Sequence, residues 1–100
     1  MMARVVVSDN AKRDIRRILS DLVERAGYRV AARYAEDFKA MYRRLSHFPD
    51  SGPPRPELGT RARIAIVHPY IVIYDHTDDA TVTVLRVLHG KRNITRDLIR

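Results

Sequence analysis

The stretch Val82 to Ile94, VTVLRVLHGKRNI, holds the residues whose types and spacing come closest to chemistry: Arg86 inside an apolar run, then His89, Lys91 and Arg92 around Gly90. Metal-free RNA cleavage needs a base for the 2′-hydroxyl, an acid for the leaving oxygen and cations for the phosphorane. His89 can act as acid or base, and Arg63, Arg86, Lys91 and Arg92 can supply positive charge. The residues that follow, among them Asn93, Thr95 and Leu98, offer no second proton-transfer group. A histidine at a strand end more often completes a hydrogen bond than catalyses a reaction. The stretch therefore carries charge without an acid–base pair, and no residue is assigned as catalytic.

Arg86 poses a separate question. Strict alternation along a strand puts Val82, Val84, Arg86 and Leu88 on one face, with Thr81, Thr83, Leu85, Val87 and His89 on the other. Burying a guanidinium without a partner costs several kcal/mol. Arg86 must then meet an internal carboxylate, such as Asp75 or Glu57, a cluster of backbone carbonyls, or a bound acidic group.

Other chemistries are excluded more simply. The chain has no cysteine, which rules out disulfides, thiolate metal sites and a Cys nucleophile and suits a reducing, cytoplasmic setting. His47, His68, His76 and His89 show no paired helical spacing, and Asp75, Asp78 and Asp79 fall at a turn, where carboxylates are expected anyway. Neither a metal nor any other cofactor is expected. The opening MMARVVVSDN has only a three-valine run, too short for a signal-peptide core or a membrane span.

The elements that position these residues follow from periodicity. Arg4 to Val7 reads as a strand, and Ser8 as the cap of a helix beginning at Asp9. Ala11, Ile15, Ile18, Leu19, Leu22, Val23 and Ala26 recur at helical spacing until Gly27. A second helix carries Ala31, Tyr34, Phe38, Met41, Leu45 and Phe48 up to Pro49. The two form an antiparallel helical hairpin, and neither can bury its stripe alone. Pro49 to Gly59 has four prolines and two glycines, so it is a loop. Arg63 to Val67, Tyr70 to His76 and Thr81 to His89 then read as strands, whose short connections require an antiparallel meander. Tyr70 to Tyr74 is apolar on both faces, which places it in the middle of the sheet. A short final helix is expected over Arg92 to Ile99, with Ile94, Leu98 and Ile99 toward the sheet. The fold class is a single α+β domain over residues 1–100.

Charge narrows the partners. Nineteen Lys and Arg against 12 Asp and Glu give a net charge of +7, and only Lys12, Lys39 and Lys91 are lysine, leaving 16 arginines. Such a balance suits an acidic protein or nucleic acid. No helix-turn-helix or aromatic-basic strand motif accompanies it, so direct nucleic-acid binding rests on charge alone.

Taken in order, Ala11, Ile15, Gly27, Tyr34, Phe38, Leu45, Pro49, Gly52, the RPELG loop, Arg63, Pro69 to Tyr74 and Val84 to Gly90 resemble the RelE/ParE superfamily of bacterial toxins over about residues 4–98. Within it the likeness is to the ParE branch. RelE-type ribonucleases carry an arginine after the aromatic that opens the middle strand and a tyrosine or comparable group late in the last helix; here Ile71 and Leu98 stand at those positions, although Arg92 matches the basic residue after the strand-end glycine. The resemblance implies a cytoplasmic, non-enzymatic toxin that binds DNA gyrase and stabilises its cleaved-DNA state. It also implies a ParD-like antitoxin whose tail wraps the toxin. A ribosome-dependent mRNA endonuclease of the RelE type is the alternative. Arg63, Arg86, His89, Lys91 and Arg92 are the candidate contacts to the target or partner. Ile15, Leu19, Leu22, Tyr34 and Phe38 on the hairpin are the candidate antitoxin-docking residues.

Overall fold

The computed structural model describes residues 2–99, with Thr77 represented by its backbone. Strand β1 (Arg4–Val7) leads into helices α1 (Asp9–Ala26) and α2 (Tyr28–His47), followed by strands β2 (Ala62–Val67), β3 (Tyr70–Asp78) and β4 (Thr81–His89). The four strands form one mixed sheet in the order β1-β4-β3-β2. The meander β2-β3-β4 is antiparallel as expected, and β1 joins it parallel to β4, pairing Arg4 with Thr81 through Val7 with Val84.

Local chemistry accounts for the element ends. The Ser8 hydroxyl accepts from the Ala11 amide at 3.1 Å, which satisfies one of the free donors in the first turn of α1. Gly27 ends α1 with φ +92° and ψ 169°, a region open essentially to glycine alone, while its amide donates to the carbonyls of Leu22 and Val23. The same residue begins α2, so the hairpin turns with no intervening loop. Helix α2 stops at His47, and Phe48, expected in its apolar stripe, lies outside the helix and is 65% exposed. Pro49 withdraws the preceding residue from helical geometry, and Phe48 accordingly sits at φ −133°, ψ 71°.

Both faces of the sheet are covered. On one, Phe38, Met41, Leu45, Val72, Tyr74, Val82, Val84 and Val87 form a core with the helical hairpin. On the other, Ile64, Ile73 and Leu88 pack with Leu58 and with Ile94, Leu98 and Ile99 of the C-terminal segment. Val72, Ile73 and Tyr74 are fully buried because β3 is central and enclosed on both sides. The C-terminal segment does face the sheet, but it is not the helix expected over Arg92 to Ile99. It turns at Arg92, whose amide reaches the His89 carbonyl, and forms only a 3₁₀ turn over Arg96–Leu98. Thr95 is extended and offers no side-chain cap, so burial of Ile94, Leu98 and Ile99 sets this path.

Strict alternation fails within β4. Ile73 pairs with Arg86 but Tyr74 with Val84, which leaves Leu85 as an extra residue. The bulge keeps Val82, Val84 and Val87 together in the helical core and sends Leu85 and Leu88 to the other cluster. Val84 and Leu88 therefore do not share a face, and neither do Leu85 and Val87.

Candidate functional site

Strand β1 covers β4 only as far as Val84, so the backbone of Leu85 to His89 would be left as a bare edge. Helix α1 and its cap supply the missing partners. The Ser8 amide donates to the Val84 carbonyl at 2.9 Å and the Ser8 hydroxyl to the Leu85 carbonyl at 2.9 Å. The Val87 amide then donates to Oδ2 of Asp14 at 2.9 Å. That carboxylate also receives Nε of Arg86 at 2.7 Å, and its Oδ1 receives Nη2 at 3.0 Å, a bidentate pair. Nη1 of Arg86 donates to the Leu98 carbonyl, which ties the C-terminal segment to the same point. Both side chains are largely buried, and the bond to Asp14 raises the Arg86 pKa above its ordinary value. The internal ion pair is thus real, but its carboxylate is Asp14, not Asp75 or Glu57. Nothing in strand parity points to a helix 72 residues away. The available signal was an acidic residue set between Ala11, Ile15 and Ile18 on the buried stripe of α1.

Beyond this pair, α1 and the end of β4 enclose a groove of about 240 Å³. Arg17, Asp21, Leu22 and Arg25 form one wall, Tyr70, His89 and Arg92 the other. His89 stands edge-on to Tyr70, with ring centroids 5.8 Å apart, and its Nδ1 accepts from the Lys91 amide at 3.0 Å. The Gly90 amide donates to the Pro69 carbonyl at 2.9 Å, and a Cβ at Gly90 would lie 3.1 Å from that oxygen, so this turn runs close against β3. Lys91 and Arg92 are exposed. Burial first, then Tyr34 and Asp21, push the Tyr70 phenol above 10, against the opposing effect of Arg25. At neutral pH it is a hydrogen-bond donor and a weak proton source.

The candidate residues therefore separate. His89, Lys91 and Arg92 lie together at the end of β4. Arg86 is spent on Asp14 and Leu98. Arg63 is engaged elsewhere, its Nη1 donating to the carbonyls of Asp50 at 3.1 Å and Gly52 at 2.7 Å. Of the hairpin residues, Ile15 and Tyr34 are half-buried against the core, Leu19 and Leu22 are half-exposed, and Phe38 is 2% exposed. Phe38 is a core residue and cannot dock a partner, because its helical position aims it at Tyr70 and the sheet. Arg17, Asp21, Arg25 and Tyr70 are groove residues that charge and periodicity did not single out. Among the described residues no group of three or more His, Cys, Asp or Glu is placed to hold a metal ion, and no helix is long and apolar enough to cross a membrane.

Around Arg63 the loop after α2 is clasped to the sheet. The buried Tyr74 hydroxyl accepts from the Gly52 amide at 3.0 Å and donates to the Pro49 carbonyl at 2.9 Å, while Nδ1 of His76 lies 2.7 Å from Oδ1 of Asp50. The His76 hydrogen bond is the largest cause holding the Asp50 carboxyl below its usual 3.8. A carboxyl depressed by folding contributes stability above its unfolded pKa and loses it as pH falls through the lower folded value. His76→Ala will return the Asp50 carboxyl toward 3.8 in a carbon NMR titration. An unchanged titration would exclude His76 as the cause.

The sequence profile described as "ParE toxin of type II toxin-antitoxin system, parDE" matches residues 5–94. The chain belongs to the ParE toxin family. It is similar to toxin ParE3 of Caulobacter vibrioides, with 31% identity over 97 residues, 97% of this chain and 96% of that protein. Among solved structures, its fold is similar to a chain of the chromosomal ParDE toxin–antitoxin system of P. aeruginosa, with a TM-score of 0.73 at 18% identity, over 88% of this chain and 96% of that one. It also matches a chain of the toxin–antitoxin complex RelBE2 of Mycobacterium tuberculosis, with a TM-score of 0.62 at 28% identity, over 89% and 99%. This ParE-family chain is a type II toxin, and its basic end belongs to a fold that recurs in toxin–antitoxin complexes.

Proposed function

We propose that this toxin acts in the cytoplasm by binding DNA gyrase and stabilising its cleaved-DNA state, without catalysing a reaction, and that a ParD-like antitoxin neutralises it. The observation that carries the reading is the Arg86 ion pair. Of the four cations that could meet a phosphorane, Arg86 is instead fixed by Asp14 and the Leu98 carbonyl, and Arg63 by the carbonyls of Asp50 and Gly52. Ile71 and Leu98, at the positions where the RelE-type residues would stand, pack as apolar cover on the sheet. His89 remains beside Tyr70, a phenol poorly matched to proton transfer at neutral pH. Lys91 and Arg92, exposed beside the groove, provide a basic contact surface for the target. The half-exposed margin of the hairpin at Leu19 and Leu22 is the docking face for the antitoxin.

The likeness to the RelBE2 complex and the placement of His89 beside Arg92 favour, as a second reading, a ribosome-dependent mRNA endonuclease. Purified toxin added to gyrase tests between them. Loss of supercoiling with accumulation of cleaved DNA, reversed by antitoxin, is the expected result. Intact gyrase activity together with cuts in translated mRNA would establish the second reading.

A further inference from the structure

The first half of α1 carries Lys12, Arg13, Arg16 and Arg17, and all four are exposed. Their order makes Lys12 with Arg16 and Arg13 with Arg17 like-charge neighbours one turn apart, about 6 Å along the helix axis. Such pairs destabilise a helix, and cations in its first turns also oppose the positive end of the helix dipole. The chain does not offset either cost. Among the described residues no ion pair engages any of the four, and their one side-chain hydrogen bond runs from Arg13 to Asn10. Asp14, the only carboxylate within the stretch, is turned inward and taken by Arg86.

The patch continues into the groove described above. Arg17 lines that groove together with Arg25 and Arg92, against Asp21 as its one exposed carboxylate. The cations therefore form a track from the outer face of α1 to the end of β4. This track has no apolar anchor: the large apolar side chains left in solvent are Met2, Tyr28, Phe48 and Ile66, none of them on α1. A protein interface is centred on apolar or aromatic anchors, and single-stranded nucleic acid is held by aromatic stacking as well as charge. Duplex DNA requires neither. It presents a dense row of phosphates, which the planar fork of arginine suits.

We propose that the cationic face of α1, at Lys12, Arg13, Arg16 and Arg17, binds the phosphate backbone of duplex DNA. The proposal rests on the gyrase reading for its setting and deepens it: the toxin grips DNA beside the enzyme that holds the break. Phosphate contacts made while the toxin is also bound to gyrase strengthen the three-part complex over either pair alone. They carry no base readout, so the grip is independent of sequence.

The test titrates a labelled mixed-sequence DNA duplex with the intact toxin at several salt concentrations. Arg13→Gln, Arg16→Gln and Arg17→Gln combined should weaken binding by on the order of tenfold or more and flatten the slope of log K against log salt by about two to three. Glutamine matches arginine in helix propensity and relieves the like-charge pairs, so the Tm should stay at or above that of the wild type. Arg29→Gln, Arg33→Gln and Arg55→Gln combined remove the same charge from exposed positions elsewhere and should leave the duplex affinity much less changed. In a gyrase reaction the α1 variant should trap less cleaved DNA while binding DNA-free gyrase as the wild type does. Equal affinities and slopes for the two triple variants would overturn the proposal, and cleaved DNA still trapped would leave the gyrase reading intact. Duplex binding that depends on α1, by a toxin that leaves gyrase untouched, would sustain the DNA site and remove the gyrase setting. Tighter binding to single-stranded RNA than to the duplex would overturn the proposal. So would loss of antitoxin binding by the α1 variant at unchanged duplex affinity, which assigns the face to the antitoxin.

Discussion

Asp14→Ala will destabilise the fold by about 3–5 kcal/mol, the cost typical of breaking a buried ion pair on one side only. The substitution strands the Arg86 guanidinium between α1 and the C-terminal segment and removes the acceptor of the Val87 amide in one step. For a domain with total stability on the order of 5–15 kcal/mol this is a large fraction. Each lost kcal/mol should lower the Tm by about 4–8 °C in a chain of this size. Urea unfolding of the purified variant measures it directly. A loss below about 1 kcal/mol would mean that the pair behaves as a solvent-exposed one. Arg86→Leu separates structure from target contact: stability should fall while the folded fraction inhibits its target at the wild-type level. Loss of inhibition by a stably folded variant would return Arg86 to the contact surface.

Gly52→Ala is expected to have an effect of comparable size for a different reason. A Cβ built at Gly52 would lie 2.0 Å from the Ile64 carbonyl oxygen and 2.8 Å from the Tyr74 hydroxyl, far inside contact distance. The loop must retreat from β2, and the bonds from Tyr74 and Arg63 to Pro49, Asp50 and Gly52 go with it. Overpacking and the exposed polar partners together should cost on the order of 3 kcal/mol. Thermal unfolding, with amide exchange at Gly52 and Ile64, checks the value and its location. A near-wild-type Tm would show that the loop has room to move.

The helical hairpin was legible because its information is local. Apolar spacing, Ser8 and Gly27 mark α1, and the shift to alternating β-branched residues marks the meander. What was not legible depends on contacts far apart in sequence. The parallel pairing of β1 with β4 leaves no trace in either strand. The bulge at Leu85 changes which residues share a face, and a strict two-residue period cannot register an added residue. At the candidate site, the need of Arg86 for a partner was evident, whereas Asp14 was hidden in a helix that supplies the edge of β4. His89, Lys91 and Arg92 stayed together because one turn holds them. Arg63 fell away because the loop of Asp50 and Gly52 claims it. Phe38 is covered by the sheet, and a helical stripe does not itself show which of its members are covered.

Binding in place of catalysis is tested most directly by adding the purified toxin in parallel to a gyrase supercoiling reaction and to a translating extract whose mRNA ends are mapped. The expected result is blocked supercoiling with cleaved DNA trapped on gyrase, full-length mRNA, and weaker inhibition by Lys91→Ala and Arg92→Ala. Codon-phased mRNA cuts that disappear with His89→Ala or Arg92→Ala, with supercoiling unaffected, would contradict it.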